Sequence, residues 1–193
     1  MHNLLFVGVG GQGILLASDI TAEVAFRMGF DVKKSEVHGM SQRGGSVFSH
    51  LRFGEHVYSP IISQGEADVL ISFEELETLR WSALARQDTV VIVNRLQIPP
   101  VVVTRGEMAY PSDVVGLLQK AYRQVVPVDA RAVAEALGQS RVANTVLLGC
   151  LAGVLAFPLH VWHEAIGDLV PRHTVEANLQ AFERGWALMK EQR

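Results

Sequence analysis

The chain is expected to fold as an α/β domain, and three observations carry that expectation. Short apolar runs alternate with helical stretches, the first run closes on a glycine-rich turn, and no repeat or low-complexity segment interrupts the 193 residues. The architecture that fits is a three-layer, mostly parallel Rossmann-like sheet with one β-hairpin and a helical C-terminal part. The length suits a single domain spanning residues 1–193.

Leu4 to Val9 is a compact apolar run, the pattern of a parallel strand buried on both faces. Ile14 to Met28 carries Ile14, Ala17, Ile20, Val24 and Ala25 among few charges, which reads as a helix packed on a sheet, and Gly29 closes it. Phe30 to Ser35 alternates apolar and charged residues as a half-exposed strand does. Strand character returns from Ser46 to Phe53. Gly54-Glu55 then suits a type II′ turn into a second hairpin strand at His56 to Ser59. Val69 to Phe73 and Thr89 to Asn94 read as further buried strands, the first followed by a helix over Glu74 to Leu84. Asp113 to Tyr122 reads as a helix and Val125 to Val128 as the last strand.

Helices dominate the remainder. Arg131 to Leu137 is short and stops at Gly138. Asn144 to Phe157 is apolar on every face, so it must be buried or covered by a partner. Asn144 is placed to cap that helix, and Pro158 prevents its continuation. Two more helices lie near His160 to Leu169 and Val175 to Lys190.

Composition narrows the function. With 49% hydrophobic and 19% charged residues, a monomer has a thin charged coat, and exposed apolar patches usually mark protein contacts. A net charge of -3 offers no electrostatic basis for binding nucleic acid. Cys150 is the only cysteine, so this chain cannot by itself ligate an iron–sulfur cluster. The first residues lack a basic segment with a cleavage site, and no apolar run reaches the ~18 residues of a membrane span. A cytoplasmic setting is expected.

Two glycine segments carry the chemistry. Gly8-Val9-Gly10-Gly11-Gln12-Gly13 matches G-x-G-x-x-G between a strand and a helix, the context in which that motif presents backbone N–H groups to a phosphate. Its bland reading is tight packing or a subunit contact. The second runs Glu36-Val37-His38-Gly39-Met40-Ser41-Gln42-Arg43-Gly44-Gly45. Arg43, beside Gln42 and a double glycine, can present its guanidinium to phosphate or carboxylate without crowding. His38 is a titratable group, although a lone histidine makes no catalytic machine. For a dinucleotide, an acidic residue is needed at the end of the second strand, and Glu36 is the available one. Other features read as structure. His160 and His163 lack a third ligand, Glu74, Glu75 and Glu77 favour a helix N-terminus, and Cys150 sits in apolar company.

The chain resembles the gamma subunits of 2-oxoacid:ferredoxin oxidoreductases, and within them the small beta subunit of the indolepyruvate type. The residues that carry the resemblance are Gly8 to Ile14 (GVGGQGI), Ser35 to Val47 (SEVHGMSQRGGSV) and Tyr58-Ser59-Pro60. Glu66 to Ile71 (EADVLI) and Asn144 to Gly149 (NTVLLG) extend it along the whole chain in order. The resemblance implies a complex that oxidatively decarboxylates a 2-oxoacid, here indolepyruvate or another arylpyruvate, to an acyl-CoA. It implies thiamine diphosphate, magnesium and iron–sulfur clusters on a large partner subunit, with ferredoxin as acceptor. This chain would be a non-catalytic member of a hetero-oligomer, inactive alone, with no catalytic residue and no metal ligand of its own. Coenzyme A would be contacted through Gly8, Gly10, Gly11, Gln12, Gly13, His38, Ser41, Gln42, Arg43, Gly44 and Gly45. The alternatives are a free-standing dinucleotide-binding oxidoreductase and a pure assembly module.

Overall fold

The computed structural model describes residues 1–38 and 45–191, the side chains of residues 37 and 38 excepted. Among the described residues six strands form one sheet: β1 (His2–Val9), β2 (Asp31–His38), β3 (Ser46–Gly54), β4 (Ala67–Ser72), β5 (Ala85–Asn94) and β6 (Gln124–Val128). Their order is β2-β3-β1-β4-β5-β6. Strands β1, β4, β5 and β6 run parallel, whereas β3 is antiparallel to both its neighbours. Because β3 is reversed against both, β1 and β2 point the same way. Val9 pairs with Ser46 and His38 with Val47, so both strands end at the sheet edge where β3 begins.

The helices are α1 (Ile14–Arg27), α2 (Glu75–Arg80), α3 (Val101–Thr104), α4 (Val114–Ala121), α5 (Ala130–Ala136), α6 (Ala143–Leu155), α7 (Leu159–Leu169) and α8 (Val175–Glu191). Alternation along the strands divides them into two layers. Leu4 and Phe6 of β1, with Val69 and Ile71 of β4, face a core shared with α1 and α5 to α8. Leu5, Val7, Leu70, Val91 and Val93 face the opposite core, closed by Val114 and Leu118 of α4 and by Ile62. No helix among the described residues is long and apolar enough to cross a membrane.

The apolar helix foreseen near residues 144–157 is α6, and it is covered from within the chain. It crosses α8 at Gly149 and Gly185, where a Cβ on either would collide with the backbone of the other helix. Burial of both faces is what lets the helix lack a polar side. Its start differs from expectation. Val142 is the N-cap, and no side chain caps the helix, so Asn144 is not a cap.

The hairpin also lies elsewhere. Gly54 is the last residue of β3, and residues 55–59 form no strand. Both edges of β3 are already filled by β1 and β2, so a strand at His56 to Ser59 has nothing to pair with. The segment is instead pinned as a loop. Val57 N donates to the Asp31 carboxylate (2.8 Å), and Arg52 donates to the carbonyls of Ser59 (3.0 Å) and Ile61 (2.9 Å). Ile62 N donates to Nδ1 of buried His50 (3.1 Å). The antiparallel pair adjacent in sequence is β2–β3, joined through the second glycine segment.

Candidate functional site: a cleft at the end of the first strand

The first glycine turn is shaped by its own glutamine. Gln12 Oε1 accepts from Val9 N (2.6 Å) while Nε2 donates to Phe73 O (2.9 Å), which ties the ends of β1 and β4 together. Gly8 is needed for this staple, since a Cβ there would stand 2.7 Å from Gln12 Oε1 and 2.8 Å from Phe73 Cβ. Gly11 and Gly13 adopt φ of 97° and 78°, the left-handed region that disfavours side chains. Gly13 is crowded as well: a Cβ would lie 2.6 Å from Asn144 Nδ2. Gly13 is the N-cap of α1, and no side chain among the described residues caps that helix. Its leading N–H groups and the positive end of its dipole are therefore directed at the space beyond the turn.

That space is a cleft of about 640 Å³, within the size range of small-molecule sites. Gly11, Gln12 and Gly13 line it, with Phe73, Leu16 and Leu147 as its apolar floor and Arg131, Arg141 and Asn144 as further polar lining. Buried Asn94 supports the floor, donating to Phe73 O (3.1 Å) and accepting from Ala130 N (3.1 Å) at the start of α5. Arg131 Nε bonds Glu135 at 2.7 Å, and Arg141 is exposed without an ion pair among the described residues.

Of the residues singled out from sequence, Gly8, Gly10, Gly11, Gln12, Gly13 and Gly45 are brought together. Gly10 N donates to Gly45 O at 2.8 Å, which joins the two glycine segments at one sheet edge. Ser41, Gln42, Arg43, Gly44 and the His38 side chain lie outside the described residues. The base of the second segment is firmly held: Ser46 bonds the buried Glu77 carboxylate and receives Trp81 Nε1 at 3.3 Å. Sequence reasoning missed Arg131, Arg141 and Asn94, and assigned Asn144 to a different task.

Glu36 does not occupy the dinucleotide position. A ribose-binding carboxylate sits on the strand next to β1, but here β3 intervenes and places β2 two strand spacings, roughly 9–10 Å, away. Glu36 is instead ion-paired with Lys34, which also binds Asp19. Among the acidic trio, Glu74 caps α2 by accepting from Glu77 N (2.9 Å), and its other oxygen accepts from Tyr110 Oη (2.6 Å) and Ile98 N (3.0 Å). Burial and this neighbouring carboxylate push the Tyr110 phenol well above its ordinary pKa. His163 packs edge-on against Phe182, and no cluster of three or more metal-binding side chains occurs among the described residues.

Comparison with known proteins settles the family. The model of the pyruvate ferredoxin/flavodoxin oxidoreductase family matches residues 3–188. The chain belongs to that family. An indolepyruvate oxidoreductase subunit, IorB, of Archaeoglobus fulgidus is 41% identical over 188 residues, covering 95% of this chain and 93% of the relative. The keto/oxoacid ferredoxin oxidoreductase gamma subunit of Geobacter sulfurreducens shares the fold with a TM-score of 0.74 at 24% identity, covering 99% of each chain. The 2-oxoglutarate:ferredoxin oxidoreductase of Magnetococcus marinus, solved with 2-oxoglutarate, coenzyme A and succinyl-CoA, matches with a TM-score of 0.76 at 20% identity. That match covers 98% of this chain and 31% of the larger one. The fold thus recurs both as a separate subunit and as part of a longer polypeptide.

Proposed function

We propose that this chain is the small, non-catalytic subunit of a thiamine diphosphate-dependent 2-oxoacid:ferredoxin oxidoreductase that converts indolepyruvate or another arylpyruvate to its acyl-CoA. The observation that carries this reading is 41% identity, across 95% of the chain, to a subunit named for indolepyruvate. The donor set of the chain supports the division of labour. Its single cysteine is fully buried in α6, and burial pushes the thiol up to about 12, so it does not fit cluster ligation. Clusters, magnesium and thiamine diphosphate are assigned to the large subunit, and ferredoxin takes the electrons from the assembled complex.

What this chain contributes is a binding edge. The two glycine segments meet through Gly10 and Gly45 at the end of β1, where bare backbone and the α1 N-terminus favour an anion. In this reading they contact coenzyme A, with Arg43 pairing a phosphate. The cofactor carries the carbanion chemistry; the residues here orient the acceptor thiol's carrier.

The test is anaerobic co-expression with the large subunit. The pair should co-purify, carry iron–sulfur absorbance and reduce ferredoxin with indolepyruvate and coenzyme A, while this chain alone is colourless and inert. Turnover by the partner-free chain would sink the reading. Within the complex, Arg43→Ala should raise the Michaelis constant for coenzyme A about ten- to hundredfold while sparing decarboxylation. Arg43→Lys should recover only part, because a point charge lacks the bidentate fork. Loss of co-purification in Arg43→Ala would make it an interface residue instead.

A further inference from the structure

Tyr58-Ser59-Pro60 belongs to a strap for which the glycine edge has no use. Residues 55–62 run without strand or helix, yet they are fastened at three places. Asp31 accepts from Val57 N, Arg52 donates to the carbonyls of Ser59 and Ile61, and His50 Nδ1 accepts from Ile62 N at 3.1 Å. The last fastening seats Ile62, 2% exposed, among Leu5, Val7 and Leu70. The outer side of the strap is apolar, with Tyr58 93% and Ile61 52% exposed.

The three fastenings respond differently to acid. Arg52 stays charged at any pH the fold survives. Asp31 stays ionised in mild acid, because its bond to Lys33 and then the Val57 N–H hold its pKa below the ordinary carboxylate value. His50 can accept from an N–H only as a neutral imidazole with its proton on Nε2. Burial, and then the charge of Arg52, lower its pKa, in agreement with that neutral seat. Directly opposite His50 stand Leu5 on β1 and Ser35 on β2, neither of them titratable. Arg52 on its own strand faces Asn3 on β1 and Lys33 on β2, and Lys33 is bound to Asp31. Phe48 meets the ring edge-on and is itself covered by Trp81. On the strap, Glu55 and His56 pair with each other at 4.0 Å in solvent, and Glu66 beyond it accepts from Ser63 N. No hydrogen bond or ion pair joins the His50 ring to a carboxylate among the described residues, so nothing there favours its charged form.

We propose that His50 is a proton-sensitive latch: a proton taken from solvent at Nδ1 sets one N–H against another at Ile62, and the strap lifts from β3. The surface that Tyr58 and Ile61 present then changes shape in mild acid. The ring titrates lower with the strap seated than with it free. The latch is therefore at full strength above about pH 6.5 and weakens as the pH falls below that value. Arg52 and Asp31 keep their states in this window, so the release is local.

The test is amide hydrogen exchange on the full chain between pH 7.5 and 5.5, with rates corrected for the intrinsic pH dependence of exchange. Protection of the Ile62 amide should fall below about pH 6.5, approaching tenfold per pH unit, while the amides of central β4 hold constant. His50→Asn puts Oδ1 where Nδ1 stands, so it should keep the protection seen at pH 7.5 and lose the dependence on pH. His56→Gln, which removes the exposed histidine of the strap, should leave the fall intact. A flat wild-type profile, or a fall shared by β4, overturns the proposal. So does a fall that persists in His50→Asn or vanishes in His56→Gln. The wild-type profile is read without any variant, so misfolding of one leaves the test decisive.

Discussion

The molecule uses glycine for close approach in two places, with opposite results. At the crossing of α6 and α8, the bare backbones of Gly149 and Gly185 touch the facing helix and leave no space. At the turn after β1, Gly8 and Gly13 admit side chains of Gln12 and Asn144, and the space beyond them stays open as a cleft. The first arrangement fixes architecture. The second leaves helix N–H groups without partners among the described residues, which is useful only where something else will meet them. Missing side chains alone do not announce a ligand; what decides is whether the freed backbone is covered.

Substitutions should separate the two uses. The largest effect is expected for Gly185→Ala, whose Cβ would press on the backbone carbonyl of Val146, a neighbour that cannot rotate away. Such overpacking should lower stability by about 3 kcal/mol, read as a lower urea midpoint with unchanged slope, and a near-neutral result would mean that the crossing is looser than drawn. Gly13→Ala combines left-handed strain with displacement of Asn144 and should cost about 2 kcal/mol. Unlike the helix-crossing variant, it should also raise the Michaelis constant for coenzyme A in the assembled complex. Gly11→Ala has open space around the new Cβ, so only its φ of 97° opposes it, and a loss of about 1 kcal/mol is expected. If Gly11 proved as sensitive as Gly13, conformation rather than crowding would govern the turn. At the lower end, Arg141→Gln should leave stability within about 0.5 kcal/mol, checked by thermal melting, because the side chain is exposed and makes no ion pair among the described residues.

Much of this arrangement was legible from local pattern. The strand at Leu4 to Val9, the turn after it and the α1 helix follow from an apolar run, glycines and a 3.6-residue stripe, all encoded within thirty residues. Where reasoning failed, the deciding contact was distant. Gly54-Glu55 has the chemistry of a hairpin turn, but pairing of β3 with both β1 and β2 removed any edge for the next strand. Asn144 has the chemistry of a helix cap, but the helix begins one residue earlier and the amide is turned toward Gly13. Nothing in the local sequence marks Arg131 and Arg141, because the cleft they line is assembled from segments far apart in the chain. Position in a sheet order is invisible to a window of ten residues, and so was the separation of Glu36 from β1.

Cys150 sits at the same helix crossing, fully buried, with its Sγ 3.3 Å from Gly185 O. Because the thiolate is the nucleophile and burial holds this thiol far above neutral pH, alkylating reagents cannot react with it while α6 and α8 stay together. Iodoacetamide labelling at neutral pH therefore measures how often the two helices part. One native atom reports the opening of a glycine-closed seam, without an introduced probe.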